Sequence, residues 1–440
     1  MTGLPLTSVS KWAPHPKAAP FTERSADDAF ETAANGTATC AGGWQFEYAG
    51  VQAGKTYALS VEADHSEGIE VRDALLCAAH WTALKPDRSE SGAAPWDYLL
   101  PEAVGPGRLR FARVVRAPAG SATLTLRCTF RWVWEGRAVW RTPSVGLKEG
   151  ASGPARPVRA AVVTGHVRAR PAPMPDAQAN VAFYGGLCEA AAEAVRPDLI
   201  VLPEVALQWG VRGHAVDLAV PAPGPETEAF SRIAKAHRTR IVLGLFERDG
   251  DAVYNSAILI GPDGRVDGRY RKVHLAVGGE AESGILPGNA FPVFETEIGR
   301  VGCNICMDSS AAESSRAVGL GGADFLALPI MGDHRADRWP PGAPIYNESR
   351  WLAIMRTRAM DNQLCMVIAR NTVQGSCVID RKGDVIAWNE GDDDFIHAEV
   401  CAEDGYRTWN GACFRDVNWL QRRPHLYGVF SEPENVGSLR

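Results

Sequence analysis

The feature that most constrains this chain is a change of hydrophobic period near residue 150. Between about 25 and 145, apolar and polar residues alternate in GWQFEYAG, KTYALSVEADH, GRLRFARVV and SATLTLRCTFRWVWEG. A period of two sends successive side chains to opposite faces, so TLTLRCTF directs Leu124, Leu126, Cys128 and Phe130 to one face of a half-buried strand. Turn signals at Asn35-Gly36, Ala53-Gly54-Lys55 and Gly105-Pro106-Gly107 separate the runs. Short strands spaced in this way predict an all-β sandwich domain over 25–147. The first 24 residues, rich in Pro, Ala and Lys, read as a flexible arm. KEGASGPARP, 148–157, carries Gly and Pro without periodicity and reads as a linker.

From 158 to 440 the pattern is different. VRAAVVTGHV reads as a strand, AQANVAFYGGLCEAAAEAV as a helix and DLIVLPE as a strand buried on both faces. Helical ETEAFSRIAKAHR, SAAESSRAVGLGG and SRWLAIMRTRAMDNQ alternate with strand-like TRIVLGLFERDG, AVYNSAILIGPDGRV, RVGCNICMD, ADFLALPI and LCMVIARNT. Such alternation predicts an α/β domain whose strands are covered by helices. The 440 residues leave room for about two to three domains.

Composition narrows the function. A net charge of −6 argues against a basic nucleic-acid binder. No run of 18 apolar residues points to a membrane span. The opening MTGLPLTSVSKWAPHPKAAP has no apolar h-region of a secretory signal. Ten cysteines lie mostly in apolar runs, which fits a reducing, cytoplasmic setting.

Three reactive side chains stand at the ends of strand-like runs: Glu204 ends DLIVLPE, Lys272 lies in GRYRKVHL and Cys306 ends VGCNIC. Each alone has an ordinary structural explanation. Together they suffice for acyl transfer through a thioester. A free thiol is only a few per cent thiolate at pH 7, and a nearby carboxylate can take its proton. An ammonium favours the thiolate and stabilises the oxyanion formed when sulfur attacks a carbonyl or nitrile carbon. Cys303 and Cys306 form C-x-x-C, but residues three apart in a strand face opposite ways and no second Cys or His pair stands at ligand spacing, which argues against zinc. Ser309 and Ser310 lack the G-x-S-x-G of a serine nucleophile. The aromatics Trp44, Phe46, Tyr48, Trp132, Trp134 and Trp140 read mainly as core, with a ligand platform as the other reading.

From about 157 to 428 the chain resembles the nitrilase, or carbon–nitrogen hydrolase, superfamily. PDLIVLPE, GRYRKVHL and VGCNICMD match its three catalytic segments in order, with Glu204 and Lys272 separated by 68 residues and Cys306 a further 34 on. PGPETEAF, VYNSAILIGPDG, LPGNAFPVFET, ESSRAVGLGGADFLALP, RTRAMDNQ and RRPHLY fit supporting segments. The resemblance implies a four-layer αββα sandwich, pairing into a homodimer or larger homo-oligomer, and a Glu-Lys-Cys triad needing no metal or organic cofactor. It also implies a second glutamate after the lysine. EAESGILPG offers Glu280 and Glu282, and the spacing to Pro-Gly favours Glu282 with one residue missing from the loop. The Met307 N–H and the Lys272 ammonium would bind the oxyanion. His274 reads as structural, and Tyr254 and Asn255 as supports. Asp308, two residues after the cysteine, favours an amide or carbamoyl substrate, where nitrilases tend to carry Glu. Ser309 and Ser310 stand where the N-carbamoyl-D-amino-acid branch has arginines, against a charged amino-acid substrate. Trp209, Met331 and His334 would line the pocket, and ADRWPPGAPIYNESRW reads as a lid or oligomer contact. A nitrilase or amide acyltransferase using the same triad, and a glycan- or partner-binding protein acting through the sandwich, are the alternatives.

Overall fold

The computed structural model describes residues 3–83, 94–148, 157–164, 174–277, 279–331, 348–371, 374–391, 393–402, 407–408 and 410–428. It divides into two compact units, Met1–Pro154 with Tyr406–Arg440, and Ala155–Gly405. No described helix is long and apolar enough to cross a membrane.

The first unit is all-β. Its alternating runs become strands buried at every second residue: Tyr57, Leu59, Val61 and Ala63 in Thr56–His65, and Leu124, Leu126, Cys128 and Phe130 in Ser121–Arg131. Strand Trp96–Gly105 pairs with Leu75–Ala83 through its first residues and with Arg108–Arg116 through its last, so the hydrogen-bonded ladder is continuous through it. One core takes side chains from strands on both sides of it in the ladder, with Phe30 edge-on to Trp44 at 5.2 Å and to Phe46 at 4.9 Å. Trp44, Phe46, Tyr48 and Trp140 of the weighed aromatics are buried, whereas Trp132 and Trp134 are exposed.

Two boundaries differ from the sequence reading. The supposed arm is part of the sheet: Leu6–Trp12 pairs with Ala41–Ala49, and Phe21–Ala26 with Ala29–Ala33. These strands lie at the two ends of the ladder and face solvent, so they lack a clean apolar alternation. The terminal segment that includes RRPHLY packs with the first unit, not with the α/β unit. Arg407 reaches Asp97 at 3.2 Å, the Trp96 indole N–H donates to the Asn410 carbonyl at 2.9 Å, and Asp416 pairs with Arg113 and accepts the Tyr98 N–H at 3.4 Å.

The second unit is α/β and carries two six-stranded sheets among the described residues. One runs Val266–Arg271, Ala252–Ile260, Arg240–Asp249, Leu199–Val201, Val158–Val163, Phe395–Val400; the other runs Val293–Thr296, Gly299–Cys303, Phe325–Ile330, Cys365–Arg370, Cys377–Ile379, Val385–Trp388. The central pairs are parallel and the outer ones antiparallel. Val162, Val201, Val242 and Tyr270 of the first sheet share a core with Cys303, Phe325 and Val367 of the second. Helices Ala177–Val195 and Pro225–His237 pack on the far side of the first sheet, and Ala312–Leu320 and Glu348–Asn362 on that of the second. Phe325–Ile330 and Cys365–Arg370 are therefore buried at every residue, which is why they read as unbroken apolar runs. Glu204, Cys306 and Met331 follow the carboxyl ends of parallel strands, where open α/β sheets build their sites.

Candidate active site

Glu204 lies on the turn that follows Leu199–Val201, where Val205 takes a left-handed φ of 44°. The neighbouring strand passes so close that a Cβ on Gly244 would collide with the Pro203 carbonyl and come within 2.9 Å of the Glu204 Cα. The Glu204 carboxylate is buried and fully used. Oε1 accepts from Lys272 Nζ at 2.7 Å and Asn255 Nδ2 at 2.7 Å, and Oε2 accepts the Met331 N–H at 2.7 Å.

Lys272 extends strand Val266–Arg271, its N–H donating to the Asn255 carbonyl at 2.8 Å. Its buried ammonium also donates to Glu280 Oε2 at 2.6 Å. Glu280, not the favoured Glu282, is the second glutamate against the lysine. The loop turns at 276–283: Glu280 Oε2 accepts the Ala276 N–H at 2.9 Å, and Glu280 also accepts from Asn255 Nδ2. Glu282 points to solvent. A buried ammonium needs carboxylates to offset lost hydration, and the turn brings Glu280 inward to supply one.

Cys306 opens a 3₁₀ turn, Cys306–Ser310, with a left-handed φ of 42°. That conformation is strained for a side chain with a Cβ, and such strain collects at functional sites. The thiol lies close enough to Glu204 and Lys272 for both charges to act on it. Burial pushes it well above the usual thiol range, the Glu204 charge pushes the same way, and Lys272 opposes them without prevailing. Burial works against the Lys272 ammonium, but the Glu204 and Glu280 carboxylates hold it well above the usual lysine range. The resting site is therefore a protonated thiol beside an ammonium, not the thiolate that an adjacent lysine alone would favour. Cys303, the other member of C-x-x-C, is buried in the core between the sheets, and burial pushes its thiol up to about 12.

Asp308 has a role that the sequence did not reveal. Its buried carboxylate accepts the Ile305 N–H at 2.9 Å, the Tyr270 hydroxyl at 2.7 Å, the His274 N–H at 2.9 Å and His274 Nδ1 at 2.8 Å. The nucleophile turn is thereby tied to the segment that carries Lys272. Burial and the Asp308 charge keep the Tyr270 phenol protonated. The only signal in the sequence was proximity to Cys306.

The residues named for substrate contact fare differently. Met331 reaches the site through its N–H on Glu204, and Met307, next to Cys306, is 38% exposed. Trp209 is half-buried, its carbonyl accepting from Asn180 Nδ2 at 2.9 Å. His334 and most of ADRWPPGAPIYNESRW lie outside the described residues.

Comparison with known proteins identifies the family and the fold. The carbon–nitrogen hydrolase family model matches residues 159–406. A citrullinase of Francisella tularensis is 35% identical over 213 residues, 44% of this chain and 71% of that protein. A nitrilase of Pyrococcus abyssi is 35% identical over 176 residues, 39% of this chain and 61% of its own length. A carbon–nitrogen hydrolase structure from Helicobacter pylori superposes with a TM-score of 0.51 at 22% identity, covering 63% of this chain and 98% of the other, which concerns the fold. An amidase structure from Nesterenkonia gives a TM-score of 0.50 at 19% identity, covering 64% and 100%. With more than half of its length under the family model, and an additional all-β region before it, the chain belongs to the carbon–nitrogen hydrolase family of the nitrilase superfamily.

Proposed function

We propose that the protein is a hydrolase that cleaves a non-peptide carbon–nitrogen bond, in an amide or carbamoyl group, through a thioester on Cys306. The observation that carries this reading is the Lys272 ammonium held between Glu204 and Glu280, with Cys306 on a strained turn near enough for both the Glu204 and Lys272 charges to act on its thiol. Glu204 takes the thiol proton as sulfur attacks the substrate carbon. The oxyanion is met by Lys272 Nζ and the Met307 N–H. The proton on Glu204 passes to the departing nitrogen, and ammonia or an amine leaves the thioester. Glu204 then deprotonates water, whose attack releases the acid and returns the proton to sulfur. Glu280 orients Lys272. The chemistry uses side chains of the chain itself and asks for no metal or organic cofactor.

The matched citrullinase and the omega-amidase of Homo sapiens, 28% identical over 234 residues, support a carbamoyl or primary amide substrate, as does Asp308. We read the catalytic unit as a four-layer αββα sandwich that works as a homo-oligomer on a small molecule. Intact-protein mass spectrometry after rapid mixing with primary amides, N-carbamoyl compounds and nitriles, with ammonia release followed in parallel, tests the reaction. An adduct on the wild type that is absent in Cys306→Ala is expected, and its mass identifies the acyl group. Turnover by Cys306→Ala at the wild-type rate would overturn the reading.

A further inference from the structure

Asn255 is buried on strand Ala252–Ile260, directly across from Lys272 on the antiparallel neighbour. Residues opposite each other share a face, so its amide meets the groups that surround the ammonium. Nδ2 donates to Glu204 Oε1 at 2.7 Å and also to Glu280 Oε1. An amide nitrogen carries two hydrogens, so both are engaged by the two carboxylates. Chemistry fixes the orientation, because the flipped amide would set its oxygen against both glutamates. In the observed orientation Oδ1 has no hydrogen-bond partner among the described residues. A leucine of similar volume would carry no such buried acceptor, so packing does not explain the choice of residue.

The charges state the problem this solves. Glu204 and Glu280 share one ammonium in a buried setting, leaving a net negative cluster of like groups. A single lysine point charge attracts both carboxylates but does not fix their relative orientation. We propose that Asn255 is a positioning residue that latches the two glutamates to each other across Lys272, donating one N–H to each carboxylate. It thereby holds Glu204 in the orientation that receives the Cys306 proton. The inference rests on the reading of Cys306 as nucleophile and Glu204 as its base, and extends it to a neutral residue that acts through the two carboxylates.

The test is alkylation of Cys306 by iodoacetamide at pH 8 in the full chain, followed by intact mass, with Cys306→Ala as the blank for the other cysteines. Sulfur displaces iodide as the thiol proton leaves, so no substrate need be known. Asn255→Asp keeps the shape, removes both donors and adds a third negative group; alkylation is expected to slow on the order of tenfold. Asn255→Leu also lacks both donors but adds no charge, and is expected to slow alkylation about threefold or more, which separates loss of the latch from the added negative group. Packing alone predicts no change in either variant. Wild-type alkylation of either variant would overturn the inference while leaving the nucleophile in place. Should one variant fail to fold, the other decides, and failure of both counts against the inference. An inert Cys306 in the wild type would remove the functional reading itself, and the latch with it.

Discussion

The two units bury charge to different extents. In the all-β unit the large buried side chains include Phe46, Trp81, Phe111, Phe130 and Trp140, and most ion pairs, such as Arg108–Glu62 and Arg110–Glu102, sit on the solvent face, with Asp97 and Asp416, paired with Arg407 and Arg113, the buried exceptions among the described residues. In the catalytic unit Glu204, Glu247, Lys272 and Asp308 are buried, each inside a network. Glu247 alone accepts from Ser256, Arg269 and Arg271 on the strands that lead to Lys272. An apolar core is stabilised through area, and losing one member leaves a cavity without stranding the others. A buried charge network is a closed arrangement in which loss of one member strands the others. The contrast separates surface that stabilises from groups held in place for chemistry.

Substitutions can break that contrast, beginning with the largest effect. Cys306→Ala should lower turnover by about 10⁴-fold or more while the melting temperature stays near wild type, because the protonated thiol carries no charge in the network. Ammonia release and a thermal melt decide it. Lys272→Met should abolish turnover and also destabilise the fold by about 3–5 kcal/mol, since Glu204 and Glu280 are left facing each other. The folded-state value of Lys272 is raised, so its stabilising contribution is fully present below the ordinary lysine value of about 10.4 and is lost only as pH rises through the higher folded value. Denaturant melts of wild type and Lys272→Met should therefore differ by the same amount from pH 7 to about 9. A gap that closes within that window would contradict the buried pairing.

Glu280→Gln should reduce kcat by about 10²-fold, while Glu282→Gln stays within about twofold, and steady-state kinetics with any substrate from the panel distinguishes the two. Asp308→Asn sets an amide against the donors on Ile305 and His274, so about 1–3 kcal/mol of stability should be lost together with part of kcat. In the other unit, Phe130→Ala should cost about 3–5 kcal/mol of that unit's stability and leave kcat unchanged. A fall in kcat at a temperature where the unit is still folded would mean that the apolar core is not independent of the site.

The structure brings Glu204 and Lys272 to 2.7 Å, and that these two and Cys306 belong together was legible from the local runs that carry them, DLIVLPE, GRYRKVHL and VGCNIC. The choice between Glu280 and Glu282 was not, because both lie in one short polar loop and only the path of its turn decides which carboxylate meets the ammonium. Asp308 reads in the sequence as a sign of an amide or carbamoyl substrate, and its structural role escapes notice because three of its four donors come from a segment more than 30 residues away. The strand Leu6–Trp12 escaped notice because an end strand facing solvent needs no apolar alternation. Lys272 was assigned an effect on the thiol that burial and Glu204 outweigh, a balance that no local sequence states.

The return of the chain to its first unit has a consequence for biosynthesis. Asp416 accepts from Tyr98, 318 positions earlier, and pairs with Arg113, 303 positions earlier. At about 5–20 residues per second, the sheet bearing Tyr98 and Arg113 emerges from the ribosome some 15–60 seconds before its last partner. Asp97 and Arg113 spend that interval without Arg407 and Asp416. The catalytic unit is thus made inside a pause in the folding of the domain that precedes it, and the nascent chain finishes its first domain last.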